Sequence, residues 1–428
     1  MNIDICAQGK ALLKKAEKEA SQVQISISNP SSQSLELVNN KPDSFTSTND
    51  TVYAVYVHLG KKAGMSVSNV FDLNLVNRAI AVAKASAEQD YFYGLPEKNQ
   101  FKKVELYDKK IANISEDNMI DMANQLIDSF SSKPKMNTSL STGSIIKEIS
   151  TDLTLTSEGV ENPEESTALA SVAECVSRKG GKVSSGSDYK DSRQLFDISD
   201  FGTRPAEKTS EFLNAKKLNE KFETIILKPE PFSDLLDNAF LSNLNGKNIE
   251  KNKSLFVNKL GQKVISPMIS IFDDSLIPFG QNSEAVDKEG TPCQKTELFK
   301  NGILNNFIYD YNTAKHAGKA STGNAGLSSI DFINVVVEDE YEEIENALIV
   351  DSVIGAHTAD DLSTDFSVTV DRGYIMKNGE KKPAKGFMIS GKMIDALQKA
   401  VSIGKEIEIR NGIYTGALAT KGINVILE

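Results

Sequence analysis

The sequence predicts an α+β protein with an N-terminal helix and antiparallel-strand domain, a β-rich middle region and a large, mostly β C-terminal domain. Three observations carry this expectation. Helical spacing of apolar residues is confined to a few segments, while apolar/polar alternation recurs along the rest of the chain. The first block runs helix, strands, helix, the order of an α+β unit. Further on, Gly180-Gly181 and Asn378-Gly379 stand between strand-like runs as hairpin turn signals.

Asp4 to Ala20 sets Ile5, Leu12, Leu13 and Ala16 among lysines and glutamates, an amphipathic helix. Gln22–Ser28 alternates as a half-buried strand, and Ser34–Val38, Val52–His58 and Gly64–Ser68 are further strands. A helix follows over Leu73–Ala87, with Val76, Ile80, Val82 and Ala83 on its apolar face. Gly94-Leu95-Pro96 is a turn and sets the first boundary, giving segments 1–95, 96–215 and 216–428. Ile114–Phe130 is helical, N-capped by Ser115 with Glu116 and Asp117 in its first turn. The Ser/Thr-rich stretch from Ser139 to Ile198 reads as a solvated β layer, because alternation persists in Asp152–Thr156, Ala168–Val176 and Lys182–Tyr189.

Ala206–Phe222 is predicted helical, Thr224–Leu227 a buried strand, and Phe232–Leu244 a helix capped by Gly246. Strands are expected at Met268–Phe272, Leu298–Tyr309, Phe332–Val337, Leu348–Ile354, Phe366–Val370 and Ile423–Leu427. Helices are expected at Tyr341–Ala347 and Ile394–Ile403.

Composition excludes several classes of function. The chain has 428 residues and a formal net charge of −11, which argues against a broad nucleic-acid footprint. No apolar run approaches the roughly 20 residues of a membrane span. Met1 to Ala20 reads as a charged helix and not as a signal peptide, so a cytoplasmic location is expected. Cys6, Cys175 and Cys293 are distant and odd in number, and read as reduced, buried thiols.

No template for catalysis is visible. His58, His316 and His357 are far apart, and neither His-Glu-x-x-His nor Cys-x-x-Cys occurs. No Gly-x-Ser-x-Gly, phosphate loop or dinucleotide fingerprint is present. The acidic groups Phe272-Asp273-Asp274 and Asp287–Pro292 carry oxygen ligands of the type a hard cation takes, but lack EF-hand spacing and read as solvated turns.

The C-terminal half carries an ordered set of landmarks: Phe272-Asp273-Asp274, Glu289-Gly290-Thr291-Pro292, Asn301–Leu304, Ile308-Tyr309-Asp310 and Ser321–Ala325. They continue with Thr364-Asp365-Phe366-Ser367, Gly373-Tyr374-Ile375, Asn378-Gly379-Glu380 and Lys385–Gly391. In order and spacing this resembles the TldD/PmbA metalloprotease family, whose Gly-Asp-Phe-Ser strand here has Thr364 in the glycine position. In catalytic TldD-type chains a leucine pair, here Leu235-Leu236, runs into His-Glu-x-x-x-His. This sequence instead reads Asp237-Asn238-Ala239-Phe240-Leu241-Ser242, so the chain resembles the non-catalytic PmbA/TldE branch.

The resemblance implies a subunit of an intracellular zinc protease that cleaves unfolded peptides. No cofactor is expected in this chain, and zinc is expected in a TldD-type partner with which it encloses a chamber. Strands near Phe366–Val370 and Phe387–Ser390 are expected to line that chamber and hold extended peptide by main-chain hydrogen bonds. Asn324, Asp365, Phe366 and Ser367 are the candidate peptide-binding residues; Asp237, Asn238 and Ser242 mark the lost zinc motif. Two other readings stand: a homodimeric, non-catalytic peptide- or ligand-binding protein, and an enzyme using His316 or His357 with Cys293. Neither nucleic acid nor membrane is expected as a partner.

Overall fold

A computed structural model gives the fold; it describes residues 4–131, 138–327, 329, 331–338 and 344–427. The chain divides into two compact units: Met1–Ser210 with Leu276–Cys293 and Asp310–Asp331, and Glu211–Ser275 with Gln294–Tyr309 and Phe332–Glu428. The three sequence segments thus become two units, because strands from both sides of residue 95 share one sheet.

In the first unit the described elements are α1 (Ile5–Ala16), β1 (Gln22–Val38), β2 (Lys41–Asn49), β3 (Val52–Leu59), β4 (Lys62–Ser68) and α2 (Asn74–Ala85). They continue with α3 (Lys109–Ala112), α4 (Glu116–Ser131), β5 (Thr138–Thr156), β6 (Glu161–Lys179), β7 (Lys182–Ser192) and α5 (Thr203–Phe212). The seven strands form one antiparallel sheet in the order β4-β3-β1-β5-β6-β7, with β2 also on β1.

The two strands expected at Gln22–Ser28 and Ser34–Val38 are one 17-residue strand. Its first part pairs with β3 up to Ser28↔Val52 and its last part with β2 from Ser31↔Asn49. Pro30 falls in the gap between those two ladders, the place where a missing N–H is tolerated. Strand β2 was invisible in the sequence because all nine of its residues are exposed and so carry no alternation.

Alternate residues of β1 feed two apolar clusters in succession. Val23, Ile25 and Ile27 join Leu12 of α1 and Leu75, Ala79 and Ala83 of α2. Leu35 and Leu37 join Ile111 of α3 and Met119, Ala123 and Leu126 of α4. Val82, placed on the buried face of α2 by the sequence, is 49% exposed; Leu75 and Ala79 are buried instead. The predicted cap forms, since Ser115 Oγ accepts from Asn118 N at 3.1 Å. Gly180 and Gly181 adopt φ of 57° and 77° between Lys179 and its partner Lys182, as a two-residue hairpin turn requires.

The second unit contains β8 (Lys216–Lys217), β9 (Ile225–Leu227), α6 (Pro229–Ala239), β10 (Ser270–Asp274), β11 (Lys295–Lys300), β12 (Ile303–Leu304) and β13 (Val335–Glu338). It continues with β14 (Ala347–Ile354), β15 (Asp365–Lys377), β16 (Glu380–Lys385), β17 (Phe387–Lys392), β18 (Ala400–Ile403), β19 (Glu408–Arg410), β20 (Ile413–Thr415), β21 (Leu418–Thr420) and β22 (Ile423–Leu427). Six of these strands form a sheet in the order β12-β11-β10-β13-β20-β19. Nine form a second, β18-β21-β9-β14-β15-β16-β8, with β17 on β15 and β22 on β17.

Three predicted helices are shorter than their patterns suggested. The helix expected to Phe222 stops at Phe212, and Lys216-Lys217 pair with β16. The helix expected over Ile394–Ile403 ends at Gln398, and Ala400–Ile403 is a strand against β21. The helix expected to Leu244 ends at Ala239 and gives way to a 3₁₀ turn at Leu241–Leu244; Gly246 then starts a short helix. A Cβ at Gly246 would stand 2.2 Å from the Tyr309 ring, so close approach explains that glycine. The expected helix at Tyr341–Ala347 falls partly outside the described residues; Ala347 itself begins β14.

Candidate functional site

Two of the landmark segments, far apart in sequence, are tied together in the first unit by a single carboxylate. Asp287 is fully buried. Its Oδ1 accepts from Glu289 N at 3.0 Å and Thr291 N at 2.8 Å, and its Oδ2 accepts from Ala325 N at 3.0 Å. Lys288 N donates to Ala325 O at 2.9 Å, and the Cys293 thiol donates to Gly323 O at 3.2 Å. Gly323 has φ +75°, and a Cβ there would lie 2.6 Å from Pro292 O, so the two loops can touch only with glycine present. The solvated turn expected here is therefore a knot around a fully buried carboxylate, which satisfies three backbone amides.

The Glu289 side chain continues the knot. Its Oε2 accepts from Tyr311 N at 2.9 Å and its Oε1 from Asn312 Nδ2 at 3.4 Å. Asp310 caps the short helix Tyr311–His316 by accepting from Thr313 N at 2.6 Å. Burial, and then the neighbouring Asp287 and Asp310 charges, push the Glu289 carboxyl above the usual range. Burial also raises Asp287, and its three amide donors only partly offset that.

Asn312, which the sequence reading missed, fastens this helix to the segment after α2. Its Oδ1 accepts from Tyr93 N at 2.7 Å and its Nδ2 donates to Gly94 O at 3.1 Å. His316 stacks on Tyr91 at 4.1 Å between ring centroids, with Nδ1 3.5 Å from the Tyr93 hydroxyl. His58 stacks on Phe92 at 3.7 Å, and burial lowers its pKa to about 4, so its imidazole is neutral at pH 7. Cys293 and His316 thus each have partners of their own. His357 lies in the second unit, in a 3₁₀ turn at Ala356–Thr358. Beside the short helix is a cleft of about 360 Å³, lined by Pro96, Thr291, Pro292, Tyr311, Lys315 and Lys319 among others.

In the second unit Asp273 is also fully buried and not a solvated turn. Its Oδ1 accepts from Ile333 N at 2.9 Å and Asn334 N at 3.1 Å, joining the Phe272-Asp273-Asp274 landmark to the start of β13.

Helix α6 buries Phe232, Leu235, Leu236 and Ala239, and starts on Pro229, whose fixed φ suits a first turn. Phe240, at φ −150° and ψ −49°, breaks the helix before Ser242. Asp237 is on the exposed side, Asn238 Nδ2 donates back to Asp234 O at 2.9 Å, and Ser242 is half-buried in the 3₁₀ turn. One carboxylate, one amide already donating and one hydroxyl do not make a zinc donor set. Among the described residues no three His, Cys, Asp or Glu side chains converge as a metal-binding group. The fully buried Asn243 next to this break is a hub the sequence did not reveal. Its Nδ2 donates to Asp361 O at 2.9 Å and Leu362 O at 3.1 Å, and its Oδ1 accepts from Leu255 N at 2.8 Å.

The four candidate peptide-binding residues separate. Asp365 and Ser367 lie exposed on one face of β15, whereas Phe366 is 4% exposed and belongs to the opposite, core face. Asn324 belongs to the first unit, is 2% exposed, and donates to Asp331 O at 2.9 Å. Packing therefore removes Phe366 and Asn324 from direct contact with a peptide. Asp365 pairs with Lys392 at 3.0 Å, and Ser367 stands opposite Ser390, itself opposite Asn424. The next row on the open face is Ile354, Thr369, Met388 and Ile426.

Residues 220–427 match the family model for the PmbA/TldA metallopeptidase C-terminal domain. An uncharacterized protein of Methanocaldococcus jannaschii is 26% identical over 420 residues, covering 96% of this chain and 98% of that one. A metalloprotease TldD homolog of Buchnera aphidicola is 28% identical over 205 residues, 45% of this chain and 42% of the relative. Among solved structures, TldE from Thermococcus kodakarensis superposes with a TM-score of 0.90 at 21% identity, over 98% of this chain and all of that one.

Proposed function

The chain belongs to the TldD/PmbA family and has a TldE-like fold, and on that premise we propose that it is the zinc-free subunit of a TldD/TldE-type protease acting on unfolded peptides. The observation that carries the reading is α6: where a TldD-type chain has two histidines and a glutamate, Asp237 and Asn238 stand on a helix broken at Phe240 and Ser242 on the 3₁₀ turn beyond it. Hydrolysis needs both a bound metal and a base for its water, and a TldD-type partner would supply them.

This chain would contribute binding surface. The open face of β15 and β17 offers Asp365, Ser367, Ser390 and Lys392 as polar contacts, beside the apolar row Ile354, Met388 and Ile426. Strand β17 is paired on both sides, with β15 and β22, so the main-chain binding expected at Phe387–Ser390 has no open edge there, and peptide would meet the side chains of this face.

The test is cleavage of an unstructured peptide with zinc supplied, by this chain alone, by a TldD-type chain from the same cell, and by the two mixed. Cleavage that requires the mixture supports the subunit reading. Chelator-sensitive cleavage by this chain alone would overturn it. Peptide binding by this chain with no effect on its candidate partner would favour the homodimeric binding protein instead.

A further inference from the structure

The cleft beside the helix Tyr311–His316 has no part in the reading above, which places peptide on the second unit's sheet. Lys315 and Lys319 both line it, four residues apart. Neither forms an ion pair among the described residues, whereas Lys377, Lys392 and Lys421 each hold a glutamate or aspartate within 3.0 Å. On a chain of formal net charge −11, two uncompensated ammonium groups in one concavity are a local reversal of sign. Glu97 is the one carboxylate among the lining residues; behind the wall, Asp287 and Glu289 are bonded to the Thr291 and Tyr311 amides, and burial raises both toward their neutral forms.

Thr291 supplies a second feature. It is half-buried in the cleft wall, on the loop that Asp287 fixes through the Thr291 amide, so that wall is held in place before any ligand arrives. Pro96, Pro292 and the Tyr311 ring give rigid apolar walls, and the Lys315 ammonium stands 5.3 Å from the centre of that ring.

From these features we propose that the cleft binds the free C-terminal carboxylate of a peptide whose last residue is apolar. The inference deepens, and rests on, the reading that this chain handles peptides. The two lysines would take the carboxylate, and the proline and tyrosine walls the terminal side chain. A volume near 360 Å³ is at the small end of the roughly 300–1,000 Å³ of ligand pockets, room for a terminal residue or two. Phosphate fits less well. Phosphate sites draw on arginine forks and runs of open backbone N–H groups. No arginine lines the cleft, and the nearby amides of Glu289, Thr291 and Ala325 are already committed to Asp287.

The experiment is calorimetric titration of the full chain, without a catalytic partner, with N-acetyl-Ala-Leu as free acid and as C-terminal amide. The free acid should bind at least tenfold more tightly than the amide. In the Lys315→Gln/Lys319→Gln variant, whose substitutions lie on the exposed side of the helix and beyond it, the two should bind equally weakly. Equal binding of acid and amide to the unmodified chain, or no binding of either, would overturn the proposal. So would displacement of the acid by phenyl phosphate at equal concentration, which would make the cleft a general anion site. Because no cleavage is measured, acid-selective binding by a chain that never assists a TldD-type partner would sink the subunit reading and leave the cleft assigned.

Discussion

Replacing Thr364 by glycine is expected to stabilise the second unit. Thr364 has φ +65°, is fully buried, and its Oγ1 has no hydrogen-bond partner. The left-handed conformation costs an L-residue about 1–2 kcal/mol, and an unpartnered buried hydroxyl costs about 1–3 kcal/mol. Glycine removes both. Against it stand about 0.5–1 kcal/mol of extra unfolded-state entropy and about 0.8 kcal/mol for the buried methyl group. The balance is a gain of up to about 4 kcal/mol, centred on about 2 kcal/mol. Thr364→Ala keeps a Cβ in the left-handed region while losing hydroxyl and methyl, so its gain should be smaller. Urea denaturation followed by far-ultraviolet circular dichroism gives the midpoints. Hydrogen exchange at Met393, whose amide donates to Thr364 O at 2.8 Å, reports the site itself. If glycine lowers the midpoint while alanine leaves it unchanged, left-handed strain is not a cost this fold carries.

Three further outcomes are expected. Glu289 is raised from the ordinary carboxyl value to about 8, so its protonated form is the one the fold prefers; its stabilising contribution is whole below the unfolded pKa and is lost as pH rises through about 8. Thermal midpoints of the unmodified chain should therefore fall between pH 5 and 8, and Glu289→Gln should flatten that fall; parallel profiles would contradict it. Lys147, 8% exposed, donates to Ala112 O at 3.0 Å and Ile114 O at 2.7 Å, so Lys147→Met strands two carbonyls and should cost about 2–4 kcal/mol in denaturant titration. Asp273→Ala strands the amides of Ile333 and Asn334 and should cost about 2–5 kcal/mol, while Asp273→Asn, which keeps an acceptor oxygen there, should recover most of it.

What the sequence disclosed and what it concealed divide along a physical line. Local rules were readable: the Ser115 cap, the Gly180-Gly181 turn, and Asn378-Gly379 at φ 50° and 77° between Lys377 and its partner Glu380. Each rests on contacts a few residues apart. Wherever tertiary packing decides, the pattern misled. Strand β2 has no buried side chain to announce it, and helix α6 stops at Phe240 because that ring goes into a cluster with Phe256 and Phe299. The landmark motifs were legible as a resemblance, but their function in the fold was not. Asp287 reaches an amide 38 residues away and Asp273 one 60 residues away, and such acidic runs look the same in sequence whether solvated or buried. Lys315 and Lys319 have no sequence signature beyond their spacing; only the cleft gives them a common purpose.

Strand β1 serves two helix-covered clusters in turn, and β5 runs beside it from Gln24↔Thr156 to Val38↔Thr142. A chain cut at residue 95 would strip β1 of that neighbour along its whole length and leave Val23, Ile25 and Ile27 without Leu153 and Leu155. The two clusters resemble beads threaded on a common stiff wire, which no proteolytic nick in a surface loop would free from one another. Evolution can lengthen or trim the hairpin tips of this sheet, but it must inherit the two clusters as one piece.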